Sequence, residues 1–147
     1  MNTIHSVTEV LIYLRKSRQD DPGETVQEVL NKHETILQDY SKKTWGEPIP
    51  ESNIYREVVS GETIADRPMI QQVMQLIELP DYKAVLVIEP QRLSRGDLED
   101  CGRIVNAFRY TDTLAITPGK TYNLSEKFDR KFFEMELMRG NDFLRCV

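Results

Sequence analysis

Ala84-Val85-Leu86-Val87-Ile88 is the stretch that most narrows what this chain can become. Five successive apolar residues, bounded by Lys83 and by Glu89-Pro90, read as a strand buried on both faces. Such a strand belongs in the middle of a parallel sheet, where helices shield both sides from water. Pro90 closes it, because proline has no N–H to give to a ladder. A second run, Val10-Leu11-Ile12-Tyr13, repeats the pattern nearer the start.

Between the two runs the period changes. Val26, Val29, Leu30, His33, Ile36, Leu37 and Tyr40 recur about every 3.6 residues and predict an amphipathic helix of roughly twenty residues. Pro22-Gly23-Glu24 is its expected entry, proline being tolerated early and acid favoured by the helix dipole. His33 lies on the apolar stripe with no second histidine nearby, so a packed core-edge role is expected. After a Gly/Pro loop at 45–50, Ile54–Val59 reads as a second strand ended by Ser60-Gly61. Asp66 is the expected cap of a helix with Arg67 and Pro68 in its first turn and Met69-Ile70, Val73-Met74 and Leu76-Ile77 as its buried stripe. A third helix is expected from about Asp97 through Phe108, and Leu114-Ala115-Ile116 as a fourth strand.

This alternation predicts an α/β fold: a single domain, with a central, mostly parallel sheet of about four to five strands flanked by helices. Residues 1–124 form the expected core, and 125–147 a long C-terminal helix that Ser125 can cap. Phe128, Phe132 and Met135 line one side of that helix, with Phe133, Leu137 and Leu144 roughly opposite. A helix lying on its own domain needs one apolar stripe, so the second implies either a partner or a deep groove. Gly140-Asn141-Asp142 can break the helix before Leu144.

Composition limits the function classes. At 147 residues the chain suits one domain, and a net charge of −5 excludes a chain that is basic all over its surface. Arginines can still gather in one cleft of an acidic protein. Cys101 and Cys146 fit neither a zinc ribbon nor a disulfide framework. No signal peptide and no apolar run of membrane-spanning length is visible, so a cytoplasmic protein without a membrane partner is expected.

The chemistry-bearing residues cluster at strand ends. Arg15 stands two positions before Ser17 at the end of the first strand; Arg67 follows Ser60-Gly61; Arg92 and Arg95 follow the third strand. Tyr13, Arg15 and Ser17 share a face if the strand continues that far. Successive β→α junctions of a parallel sheet lie along one edge, where ligands of open α/β folds bind. Arginine grips phosphate oxygens in a planar, two-pronged manner, and a serine among several arginines suggests attack on a phosphodiester. No Walker-type glycine loop and no two-metal carboxylate cluster is present in the sequence, so the arginines would do the work of metal ions.

Tyr13-x-Arg15-x-Ser17, then Glu57-Val58-Val59-Ser60-Gly61 leading to Arg67-Pro68, then Arg92-Leu93-Ser94-Arg95, resembles the catalytic domain of the serine recombinases, the resolvase/invertase family. Thr117-Pro118 and Tyr122-Asn123 are similar to elements of the large serine integrases. The resemblance implies that Ser17 attacks a DNA phosphate to form a 5′-phosphoserine link, and that Arg15, Arg67, Arg92 and Arg95 hold and activate that phosphate. Tyr13, Glu57, Ser60 and Gln91 match positions lining the same site. It also implies strand exchange and religation with no cofactor (neither metal nor ATP). The implied partners are double-stranded DNA and further copies of the chain, from a dimer to a synaptic tetramer joined through the C-terminal helix.

Two departures stand out. Family members usually carry aspartate where this chain has Gln91, and an amide cannot take a proton as a carboxylate can; either Glu89 or Glu57 substitutes, or Gln91 only hydrogen-bonds, or activity is reduced. The large recombinases also continue into DNA-binding domains, so the chain reads as an excised catalytic domain or as a truncated remnant. The alternative function is a recombinase-like, non-cleaving module for dimerisation or regulation. A binder of small phosphates or nucleotides is a third reading, without a glycine fingerprint to support it.

Overall fold

The computed structural model describes residues 4–16, 20–58, 67–94 and 98–138. Strands β1 (Val10–Arg15), β2 (Ile54–Glu57), β3 (Ala84–Leu86), β4 (Leu114–Ile116) and β5 (Thr121–Asn123) alternate with helices α1 (Val26–Trp45), α2 (Pro68–Leu76), α3 (Leu98–Tyr110) and α4 (Lys127–Met138). The sheet order is β2-β1-β3-β4-β5, and every pairing is parallel except β4 with β5. The α/β sheet expected from the sequence is therefore present.

Period-2 alternation sorts the strands onto two cores. Leu11, Tyr13, Val85, Val87 and Ala115 face α2, α3 and α4, where Ile70, Val73, Ile104, Phe108, Phe133 and Leu137 complete one cluster. Val10, Ile12, Leu14, Leu86 and Ile116 face the other way, onto Leu30 and Leu37 of α1. Residues 10–14 of β1 are at most 1% exposed, as befits a strand covered on both faces.

Several local expectations change. Helix α1 begins after Pro22-Gly23, because Thr25 and Glu28 form a reciprocal capping box (3.1 Å each way) that satisfies two otherwise orphaned amides. Gly46 ends it in the left-handed region at φ 82°, its N–H reaching the Lys42 carbonyl. Ile36, expected on the buried stripe, is exposed. Arg67 precedes α2 as its N-cap rather than lying in its first turn, and Asp66 falls outside the described residues. Strand β5, which sequence patterning leaves unread, returns after Pro118-Gly119, with Thr117 N–H bonded to the Lys120 carbonyl at 2.8 Å.

Helix α4 separates the two stripes read from the sequence. Phe133 and Leu137 are wholly buried against the domain, and Phe133 packs on Phe108 and Tyr122. Phe128, Phe132 and Met135 remain 72%, 55% and 63% exposed. Leu144 lies outside the described residues. No helix among the described residues is long and apolar enough to cross a membrane.

Candidate active site

The chain runs from β1 through α1 to β2 on one side, then crosses back to β3 on the other, so the sheet's topological switch point lies between β1 and β3. Ligands of open α/β sheets bind beyond the carboxyl ends of such strands. Arg15 ends β1, and residues 90–94, a single turn of 3₁₀ helix with the residue after it, follow β3.

Arginines wrap that turn. Arg15 Nε donates to the Arg92 carbonyl at 2.8 Å, and its Nη2 to the carbonyls of Gln91 at 2.9 Å and Ser94 at 3.2 Å. Arg67 Nη1 donates to the Leu93 carbonyl at 3.1 Å. Arg92 Nη1 returns a bond to the Arg15 carbonyl at 3.2 Å. All four carbonyls from 91 to 94 thus accept from Arg15 or Arg67. Three guanidiniums from distant segments are held together by one piece of backbone.

Arg67 and Arg92 also meet acid. Arg67 is completely buried, and its Nη2 lies 2.8 Å from Asp100 Oδ2 in the first turn of α3. Arg92 Nη2 lies 2.6 Å from Glu89 Oε1, and both its terminal nitrogens engage Asp20. The Arg15 guanidinium is brought down to about 10, chiefly by burial and then by the neighbouring Arg67 and Arg92 charges. It remains a cation at neutral pH.

Glu57 organises the floor of the site. It ends β2 almost wholly buried, and its Oε2 accepts from the Tyr13 hydroxyl at 3.1 Å and from the amides of Met69 at 3.1 Å and Ile70 at 3.2 Å. Those amides are the otherwise unpaired donors of the α2 N-terminus, whose positive end welcomes a carboxylate. Burial, and then the Glu57 charge, push the Tyr13 phenol up, so it stays a protonated donor. Glu57 thereby fixes the helix start that Arg67 adjoins.

The structure brings together Tyr13, Arg15, Glu57, Arg67, Gln91 and Arg92. Ser17, Ser60 and Arg95 lie outside the described residues. Sequence reasoning missed three acidic partners of the arginines or overlooked their role: Asp20, Asp100 and, as an arginine ligand, Glu89. The Glu89-x-x-Arg92 spacing was a readable signal, since i and i+3 eclipse in a 3₁₀ turn. Asp20 and Asp100 carried none. The free-standing positive crown implied by counting arginines is instead matched by carboxylates.

The family model described as Resolvase, N terminal domain, matches residues 10–137. The chain belongs to the resolvase family. The solved structure titled "Crystal Structure of the N-terminal Catalytic Domain of TP901-1 Integrase" shares its fold, with a TM-score of 0.64 at 23% identity over 92% of this chain and 96% of that one. This resolvase-family domain is a serine recombinase catalytic domain, whose function is site-specific DNA recombination. Binding to DNA and assembly into oligomers come with the family.

Proposed function

We propose that Ser17 is the nucleophile of this recombinase and that Arg15, Arg67, Arg92 and Arg95 bear the charge of the pentacoordinate transition state. The Ser17 Oγ–phosphorus bond forms, the bond from phosphorus to the 3′ oxygen breaks, and the 3′ hydroxyl leaves with a proton. The ester conserves the energy needed for religation, so the reverse attack restores the DNA. The observation carrying this reading is the gathering of Arg15, Arg67 and Arg92 about residues 91–94, in the crevice next to the strand that leads to Ser17. Preorganised guanidiniums in a dry site stabilise developing phosphoryl charge strongly.

Tyr13 and Glu57 act as positioning residues for Arg67 rather than as acid or base. Glu57 is committed to three donors, so of the two acids able to replace the family aspartate at Gln91, Glu89 is the one touching Arg92. A suicide duplex offered to the domain joined to a heterologous DNA-binding module should trap a covalent adduct that Ser17→Ala abolishes. Full adduct yield in that variant would remove Ser17 from the mechanism. Arg92→Ala should slow adduct formation about 100-fold or more.

Residues 1–124 act as the catalytic core of a large serine integrase-type enzyme, and the segment 125–147, which contains α4, joins its copies. The exposed Phe128, Phe132 and Met135 stripe supports a dimer, and then a synaptic tetramer, joined through α4. Phe132→Asp should shift sedimentation toward the monomer while changing monomer stability by no more than about 0.5 kcal/mol. An unchanged assembly state would place the interface elsewhere.

A further inference from the structure

Arg92 is held by an acid for which the proposed chemistry has no use. Asp20 Oδ1 lies 3.1 Å from Nη2 while Oδ2 meets Nη1, so one carboxylate spans both prongs of the guanidinium. Two oxygens on one fork is also the arrangement by which arginine takes a phosphate. The side chain of Arg92 is 5% exposed and that of Asp20 12%, so little water competes with the pair. The other contacts of the two terminal nitrogens go to the Arg15 carbonyl and Glu89 Oε1, and the buried Nε has no partner among the described residues. A phosphate cannot place two oxygens on this fork until an acid leaves it.

Of the two acids, Asp20 is the one whose departure opens both prongs. Glu89 touches a single nitrogen from the same turn, whereas Asp20 comes from the other side of the switch point, three residues after Ser17. A second seat for its carboxylate is already in place. His33 of α1, itself buried, holds Nε2 at 4.0 Å from Asp20 Oδ1.

We propose that Asp20 is a built-in stand-in for the scissile phosphate: it occupies the two-pronged seat on Arg92 at rest, DNA must displace it, and His33 receives the displaced carboxylate. The resting domain is thereby shut, and cleavage waits for a phosphate able to outcompete an acid tethered in the same pocket. This rests on the reading of Arg92 as a phosphate-holding residue.

The test titrates inorganic phosphate into the 147-residue chain while following the Arg92 Nε–H signal by ¹⁵N NMR, with Arg92→Lys to assign it. Asp20→Asn should tighten phosphate binding at Arg92 at least tenfold, because an amide offers one acceptor and no charge. Asp21→Asn removes the same charge one residue away, from a side chain bonded to the Gly23 amide, and should change the affinity less than twofold. Equal gains in the two variants, or weaker binding in Asp20→Asn, would overturn the latch while leaving Arg92 as a phosphate ligand. An Arg92 signal indifferent to phosphate in every protein would instead overturn the role of Arg92 itself. Should Asp20→Asn fail to fold, Asp20→Glu keeps the charge on a longer arm and should bind phosphate more tightly than the parent; weaker or unchanged binding would count against the latch.

Discussion

Arg67 and Arg92 brace the same turn and both carry acidic partners, yet they are built for different work. Arg67 is wholly enclosed, and its acid, Asp100, is set in the first turn of α3 with its side chain only 9% exposed. Arg92 is nearly as enclosed, and Asp20, with 12% of its side chain exposed, lies almost as deep as Asp100. Asp20, however, stands in the segment after β1 rather than in a helix, and Arg92 keeps a second acid, Glu89, with 36% of its side chain exposed. The element that carries the counter-ion, and the presence of a second acid, distinguish a cation that belongs to the frame from one whose partner can be exchanged. Losing one member of a buried pair strands the other, whereas Arg92 keeps Glu89 when Asp20 leaves.

The sharpest way to break this contrast is to remove the acids. Asp100→Ala should cost about 3 to 5 kcal/mol in urea unfolding, since it removes the buried carboxylate paired with Arg67. Asp20→Ala should cost less, about 1.5 to 3 kcal/mol for its charged hydrogen bonds, because Glu89 and the Arg15 carbonyl still hold Arg92. Equal losses would mean that both arginines are structural. Next in size is Glu57→Ala, which deprives the Tyr13 hydroxyl and two α2 amides of their acceptor and should cost about 2 to 3 kcal/mol. Tyr13→Phe removes a single bond to the same carboxylate and should cost about 1 kcal/mol. If Tyr13→Phe proved the more damaging, the α2 amides would not be what Glu57 is chiefly there to hold.

The same contrast explains what the sequence could and could not reveal. Apolar periodicity carried β1, β3 and α1, because a buried strand or stripe writes its pattern into consecutive residues. The arginines at the strand ends were legible for a related reason, being placed by topology at one edge. Their partners were not. Asp20 and Asp100 lie 72 and 33 residues from the arginines they pair with, and no local rule couples such positions. Glu57 looked like a site-lining acid, and only the placement of α2 turns it into a cap for amides 12 and 13 residues downstream. The two stripes of α4 were legible as stripes, but which one faces the domain depends on Phe108 and Tyr122, supplied by α3 and β5.

The smallest effect probes His33, beside Asp20. His33 is held below its ordinary value of 6.5 by burial first and by the Arg92 charge second; Asp20 and Glu89 oppose this, and Lys32 adds to it. The unfolded chain therefore takes up a proton near pH 6.5 that the folded domain refuses until the pH is lower. Stability from this group is present above 6.5 and is lost as the pH falls through the folded value. The difference in unfolding free energy between the parent and His33→Gln should thus move against the parent on acidification from pH 7 to pH 5. Asp20→Asn should enlarge that drift, since it removes the nearest charge favouring the imidazolium. A drift in Asp20→Asn no larger than the parent's would show that His33 does not sense the Asp20 carboxylate, and would leave the displaced carboxylate without its second seat.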